Sequence, residues 1–351
     1  MSRRYFVVCT DSPAASGGRA VLYDTVALLR ESGRDAYVLH MLPNAQYSLS
    51  PHKFETAYFS WRLRAGDYME RSRRVRFRAG LERLFATLKA ARNIPYEPRP
   101  DDIIIAPDHL AHAVQWAFPD LERIVFSQNS FGYLRSYKLG QLYNGAPMKG
   151  VVGNLAISDT CIDAMELVGA THIDRVPVCP NFEIFDPNQK KQRKICYMPR
   201  KRRFEAELID QALRARGNIG DYELVCIDGM NQKEVAQHLA EGRFFISLMQ
   251  NEALGFPGME AMASGCIVIG YTGLGTEEYF DTDSGVPVSE GNTVGLVKAV
   301  EHAVADYDAN PDPWDRMRQL ANDRVRSRYN PEVFRSSLLS AIDGIERRLD
   351  S

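Results

Sequence analysis

The sequence predicts an α/β protein built from two doubly wound lobes, and three observations carry that prediction. Short apolar runs alternate with helical patterns along nearly the whole chain. The runs are continuously apolar rather than alternating, which marks strands covered on both faces, as in parallel sheets. The rhythm stops at a segment rich in Pro, Asn and charge, VPVCPNFEIFDPNQKKQRK (176–194), and then begins again. At 351 residues the chain is long for a single core, so two domains are expected.

The elements follow in order. YFVVC (5–9) is the first strand, RAVLYDTVALLRESG (19–33) its helix and AYVLHM (36–41) the next strand. DDIIIAP (101–107), RIVFSQ (123–128) and NLAIS (154–158) continue the first lobe, each with a helical pattern after it. The second lobe repeats the theme with KICYM (194–198), YELVCI (222–227), RFFISL (243–248) and CIVIGY (266–271). NPEVFRSSLLSAIDGIERRL (330–349) closes the chain as an amphipathic helix. The expected division is a lobe over 1–178, a lobe over 179–330, and a closing helix over 331–351 that packs back on the first lobe. Ligands of open α/β sheets sit beyond the carboxyl ends of the strands, so the cleft between two such lobes is the expected site.

Composition excludes several classes. A net charge of −2 shows no basic excess for nucleic acid. No apolar run approaches the ~18 residues needed to span a bilayer. Only five apolar residues follow the two N-terminal arginines before Thr10 and Asp11, too few for a secretory signal. The six cysteines are scattered with no CxxC pair, as expected of reduced thiols in the cytoplasm.

Five stretches carry chemistry. NEALGFPGMEAMASG (251–265) sets Glu252 and Glu260 eight positions apart, with Gly255, Phe256, Pro257 and Gly258 between them. It follows the strand RFFISL, so Glu252 falls on the loop at a carboxyl end. Pro257 suits a first helical turn, which places Glu260 in that turn, near the positive end of the helix dipole. YMPRKRRFEAELI (197–209) puts Arg200, Lys201 and Arg203 after the first strand of the second lobe, either as a solvated basic turn or as an anion site. DSPAASGGRA (11–20) carries Gly17 and Gly18 after the first strand, a structural turn or a loop that lets backbone approach a ligand. In RIVFSQNSFGY, Gln128 and Asn129 end a strand, and APDHLAHAV sets His109 and His112 at another strand end, as helix-start residues or cleft residues. Asp281 and Asp283 spell DxD in EEYFDTDSGVPV, downstream of the two glutamates. Asp101 and Asp102 precede their strand and so face away from the carboxyl end.

The Glu-x7-Glu spacing within NEALGFPGMEAMASGCIVIG resembles the signature of retaining glycosyltransferases of family four. Their architecture is GT-B, two Rossmann-like lobes facing across a cleft. SGGRAVLYDTVALLRESGRDAYVL, VVGNLAISDTCIDAMELVGATHIDRVPVCPNFEIF, LVCIDGMNQKEVAQHLAEGRFFISL and YNPEVFRSSLLSAI resemble the family's other segments in the same order. The resemblance implies that Glu260 accepts hydrogen bonds from the ribose of a nucleotide sugar and that Glu252 lies beside the transferred sugar. The amides of Gly255 and Phe256 would line sugar and phosphates, and Gly17 and Gly18 would belong to the ligand loop. Arg200 matches the family's diphosphate-binding Arg, and Arg203 or Lys201 fills the second cationic position. Gln128, followed by Asn129, stands where many members have a histidine near the sugar, and an amide cannot act as a base there.

The reading that results is a retaining, metal-independent glycosyltransferase, without cofactor, that uses a nucleoside-diphosphate sugar as co-substrate. The acceptor is a saccharide or a lipid-linked saccharide, in surface polysaccharide or lipopolysaccharide assembly. The alternatives are a nucleotide-sugar epimerase and a non-catalytic sugar-nucleotide-binding protein. Residues 61–84, with eight arginines against three acids, form either a solvated helix or a peripheral contact with the inner face of the membrane.

Overall fold

A computed structural model describes residues 3–12, 16–59 and 93–351. The basic stretch 61–84 therefore lies outside the described residues. Two compact units form: residues 1–176 together with 335–351, and residues 177–334. Both are α/β, and every pair of strands among the described residues is parallel.

Unit 1 holds an eight-stranded sheet in the order β4-β3-β2-β1-β5-β6-β7-β8. The strands are β1 (Arg4–Val8), β2 (Asp35–His40), β3 (Ala57–Tyr58), β4 (Ile94–Pro95), β5 (Ile103–Pro107), β6 (Glu122–Ser127), β7 (Val151–Ala156) and β8 (Ile173–Arg175). Val7 stands opposite Val38 on one side and Ile105 on the other. All three are fully buried, which is why these runs show no polar alternation. The order reverses direction between β1 and β5, so the switch point of this sheet lies at the ends of those two strands.

Helix α1 (Gly17–Glu31) covers the sheet with Val21, Leu22, Val26 and Leu29. It begins at Gly17, so Gly17 and Gly18 belong to a first helical turn and not to the loop expected of them. Gly18 is also held to glycine by crowding, since a Cβ there would collide with the Gln128 side chain.

The last helix, α10 among those of the described residues (Pro331–Asp350), contributes residues 335–350 to unit 1. Leu338, Ile342 and Ile345 are buried there. A Cβ on Gly153 of β7 would run into Ile345, so glycine permits the close approach. Tyr5 donates to Glu346 Oε1 at 2.5 Å, and Arg34 donates to Glu346 at 2.9 Å and also to Asp343.

Unit 2 holds a five-stranded sheet in the order β10-β9-β11-β12-β13: β9 (Lys194–Tyr197), β10 (Glu223–Cys226), β11 (Phe244–Leu248), β12 (Ile267–Tyr271) and β13 (Gly285–Pro287). Ile195, Leu213, Ile246, Ile269 and Val300 are at its core. The switch point lies between β9 and β11, which are the strands feeding the basic turn and the two glutamates.

Candidate functional site

The loop after β11 enters helix α7 (Phe256–Ala263) through Gly255, whose φ of +71° is left-handed. A side chain at Gly255 would also collide with Met249 and Thr276. The fully buried Tyr279 donates from its hydroxyl to the Gly255 carbonyl at 2.7 Å. Pro257 lies in the first turn, and Met259, Met262 and Ala263 form the buried face. Glu260 is the fifth residue of this helix, so it sits in the second turn, one turn deeper than the expected first. The left-handed cap starts the helix at Phe256 and moves every later residue inward.

That depth changes the chemistry of Glu260. Its side chain is half-buried, and among the described residues its carboxylate accepts no hydrogen bond. Burial alone pushes its pKa up to about 7. It is a desolvated acceptor without a donor.

Glu252 is held by its backbone. Its N–H donates to Gly273 and its carbonyl accepts from Gly275, both at 3.0 Å. Gly275 has no room for a Cβ against the Ala253 carbonyl, and Leu274 between them takes a left-handed φ of +81°. A branched side chain in that region marks a strained turn held by its surroundings. The Glu252 carboxylate meets Lys201 Nζ at 2.7 Å, and Lys201 also donates to the Gln250 carbonyl at 2.9 Å.

The basic turn after β9 thus resolves into four different residues. Arg200 is exposed and takes no ion-pair partner among the described residues. Lys201 reaches across to Glu252. Arg203, the first residue of helix α5 (Arg203–Arg216), points elsewhere and pairs with Asp228 at 2.6 Å. Arg202 pairs with Glu205 at 2.9 Å and with Glu290, and its guanidinium lies over the Tyr271 ring. Glu205 also accepts from Tyr271 at 2.5 Å and Thr293 at 3.0 Å. Burial pushes the Glu205 carboxyl up, but the bonds from Tyr271, Arg202 and Thr293 outweigh it and hold the group below its ordinary value. Of the two candidate second cations, the structure brings Lys201 to the Glu252 loop and does not bring Arg203 there.

In unit 1, Gln128 and Asn129 follow β6 beside a residue that the sequence did not single out. Asp108, nearly fully buried, accepts from the backbone N–H of Gln128 at 2.6 Å and of Asn129 and His109 at 2.5 Å. One carboxylate therefore ties the end of β5 to the loop after β6. Its signal in the sequence was modest: an acid directly after an apolar strand. Asn129 caps helix α3 (Ser130–Asn144) by accepting from Gly132 at 3.0 Å. Gln128 lies against Gly18, and its buried Nε2 has no hydrogen-bond partner among the described residues. His109 stands in the short helical turn after β5 with its ring 3.3 Å from Asp108, whereas His112 is buried and bonded through Nδ1 to Ser136 at 3.0 Å.

Asp281 pairs with Arg324 at 2.7 Å and accepts from the Asp283 and Ser284 N–H groups at 3.0 and 3.1 Å. The DxD is a closed turn. Asp102 is likewise spent on Arg4 and Tyr96, at 2.8 and 2.9 Å. Among the described residues no group of three His, Cys, Asp or Glu side chains is placed to hold a metal ion.

No protein-family model matches the chain. A stretch of 162 residues, 44% of the chain, is 32% identical to a protein of Actinobacillus pleuropneumoniae serotype 7 (strain AP76) called alpha-1,6-glucosyltransferase. That match spans about half of the relative's length, 48%. The fold is similar over 99% of both chains to sucrose-phosphate synthase from Thermosynechococcus elongatus, with a TM-score of 0.63 at 15% identity. S. aureus TarM, solved with UDP and alpha-GlcNAc-glycerol, matches 98% of this chain and 99% of its own, with a TM-score of 0.65 at 9% identity. Anabaena HepE, solved with UDP and glucose, matches 99% of both chains, with a TM-score of 0.60 at 11% identity. At these identities the likeness to solved structures is one of fold: two Rossmann-like α/β lobes, the GT-B architecture.

Proposed function

We propose that this chain is a retaining glycosyltransferase that moves a sugar, glucose in the first instance, from a nucleoside diphosphate to a hydroxyl of a saccharide or lipid-linked saccharide. The observation that carries the reading is the unpaired, desolvated Glu260 carboxylate one helical turn beyond the Gly255 cap, with Lys201 and Glu252 on the loops beside it. Once ionised, that carboxylate is acceptor-only and suits two O–H donors, as a ribose provides. The 32% identical relative named for alpha-1,6-glucosyl transfer supports the choice of sugar.

In this mechanism unit 2 holds the donor. Glu260 accepts from the ribose, the Gly255 and Phe256 amides face sugar and phosphate, and Arg200 and Lys201 bind the diphosphate. The bond between the anomeric carbon and the phosphate oxygen breaks, and charge builds on the leaving phosphate. Fixed cations stabilise that charge more than the ground state. The acceptor oxygen bonds to the anomeric carbon on the same face, and its proton passes to the leaving phosphate. Glu252 takes hydroxyls of the transferred sugar once Lys201 turns to the phosphate. No metal is required, because Arg200 and Lys201 supply the positive charge.

The product belongs to surface polysaccharide or lipopolysaccharide assembly on the cytoplasmic side, with residues 61–84 as the membrane-facing stretch. No helix among the described residues is long and apolar enough to cross a membrane. The test is thermal unfolding with UDP, GDP, ADP and their glucose conjugates, with and without EDTA. UDP at 100 times its dissociation constant adds about 2.7 kcal/mol of stability, and EDTA leaves that gain unchanged. No shift with any nucleotide rejects the reading, and a shift abolished by EDTA rejects its metal independence.

A further inference from the structure

The carboxyl ends of β1 and β2 hold a second polar cluster that the reaction above does not use. His40, the last residue of β2, is 1% exposed. Its Nε2 lies 2.8 Å from the Tyr23 hydroxyl. The Tyr47 N–H donates to that same hydroxyl at 2.8 Å. With its oxygen already accepting, the hydroxyl has its own proton to give, and Nε2 is the acceptor in reach. The neutral ring then carries its hydrogen on Nδ1.

Among the described residues that hydrogen faces the Asp11 carboxylate. Nδ1 lies 3.3 Å from Asp11 Oδ1, but off line, so it makes no formed hydrogen bond. Asp11 Oδ1 already accepts from the Met41 N–H at 3.0 Å. Among the described residues Asp11 Oδ2 takes no hydrogen bond, and the side chain is 17% exposed. One oxygen therefore faces the imidazole, and the other keeps its acceptor capacity. Hydrogen bonds of this kind are often long without substrate and shorten in the complex.

We propose that Asp11 binds a hydroxyl of the acceptor saccharide through Oδ2, with His40 as its positioning residue. A carboxylate is acceptor-only and takes an O–H directly. Asp11 stands just past β1, at the switch point between β1 and β5, where open α/β sheets bind ligands. A ligand hydroxyl on Oδ2 draws the carboxylate into line with the waiting Nδ1–H, so binding satisfies two groups at once. His40 is too deeply buried to touch the ligand. That the ligand is a saccharide rests on the function proposed above.

The experiment is saturation-transfer NMR of methyl α-glucoside with the full chain, in the presence of UDP, alongside calorimetry of UDP itself. Wild type binds the glucoside, and Asp11→Asn weakens it about tenfold or more, the scale of one hydrogen bond to a charged group. His40→Leu weakens it as much, whereas His40→Gln, which keeps an N–H, recovers part of the loss. UDP affinity stays within about twofold throughout, because its proposed contacts lie in unit 2. Wild type failing to bind the glucoside, or Asp11→Asn binding it as wild type does, overturns the proposal. A wild type that binds the glucoside through Asp11 but not UDP leaves this site standing and rejects the donor reading instead.

Discussion

Glu260 and Glu252 face opposite electrostatic situations, and that difference is measurable. Glu260 has a pKa of about 7 in place of 4.5 because burial penalises its charge. The folded state keeps this proton between those values while the unfolded state has released it, so the ligand-free protein loses stability as pH rises from 4.5 to 7. At 1.36 kcal/mol per pH unit, and discounted for the part of the side chain still in solvent, the cost is about 2 kcal/mol above that window. Glu260→Gln therefore stabilises the free protein by that amount near pH ~8 and not near pH ~4. The same variant weakens UDP binding by about 1.5–3 kcal/mol, since the amide offers one neutral acceptor oxygen in place of two charged ones. Urea unfolding at the two pH values, with UDP calorimetry beside it, checks both signs. Equal stability changes at the two pH values reject the desolvated carboxylate.

Glu252 is paired, and pairing in partial solvent is weak. Its partner Lys201 has a side chain 35% exposed against its own 26%, so a double-mutant cycle on the free protein gives a coupling below about 1 kcal/mol. Binding separates the two. Lys201→Ala weakens UDP, and Glu252→Ala lowers turnover more than it lowers UDP affinity. A Glu252→Ala variant with weakened UDP and intact turnover reverses the proposed division of roles.

At the scale of the element, the entry to α7 is fixed by shape. Gly255 and Gly229 have nearly the same φ, +71° and +68°. A Cβ at Gly229 meets nothing within 4 Å, whereas at Gly255 it collides with Met249 and Thr276. Gly229→Ala therefore costs only the left-handed penalty of about 1–2 kcal/mol. Gly255→Ala adds overpacking of about 1–3 kcal/mol and displaces the helix start, so UDP affinity falls with stability. Tyr279→Phe removes the bond to the Gly255 carbonyl and costs about 1 kcal/mol. Denaturant midpoints with UDP calorimetry rank the three. Equal losses for the two glycines reject the steric account of the loop.

At the scale of the molecule, the closing helix leaves unit 2 in sequence and belongs to unit 1 in space. Deleting residues 335–351 exposes Gly153 and the β-strand surface under Ile345, and leaves Arg34 and Tyr5 without Glu346. Scanning calorimetry of the truncated chain shows the unit 1 transition lowered or lost, while the unit 2 transition still rises with UDP. Equal lowering of both transitions rejects independent units.

The chain's own order carried a good deal. The runs at 5–9, 103–107 and 267–271, and 244–248 apart from Ser247, are apolar because parallel strands are covered on both faces, and that is a local property of the residues. The strand, loop and helix around Glu252 and Glu260 were legible for the same reason: Pro257, Gly255 and Gly265 act on their own backbone. What local pattern could not supply was which side chains meet. Lys201 and Arg203 are equivalent as text, and only the start of α5 at Arg203 sends one to Glu252 and the other to Asp228. Asp108 acquires its role from Gln128 and Asn129, and Gly18 its necessity from Gln128, more than a hundred positions away. Glu260's depth depends on a cap held by Tyr279. Backbone preference and hydrophobic period act within a few residues and so can be read along the chain. Desolvation, ion pairing and steric room are set by neighbours that folding brings from elsewhere, and the tertiary structure alone decides them.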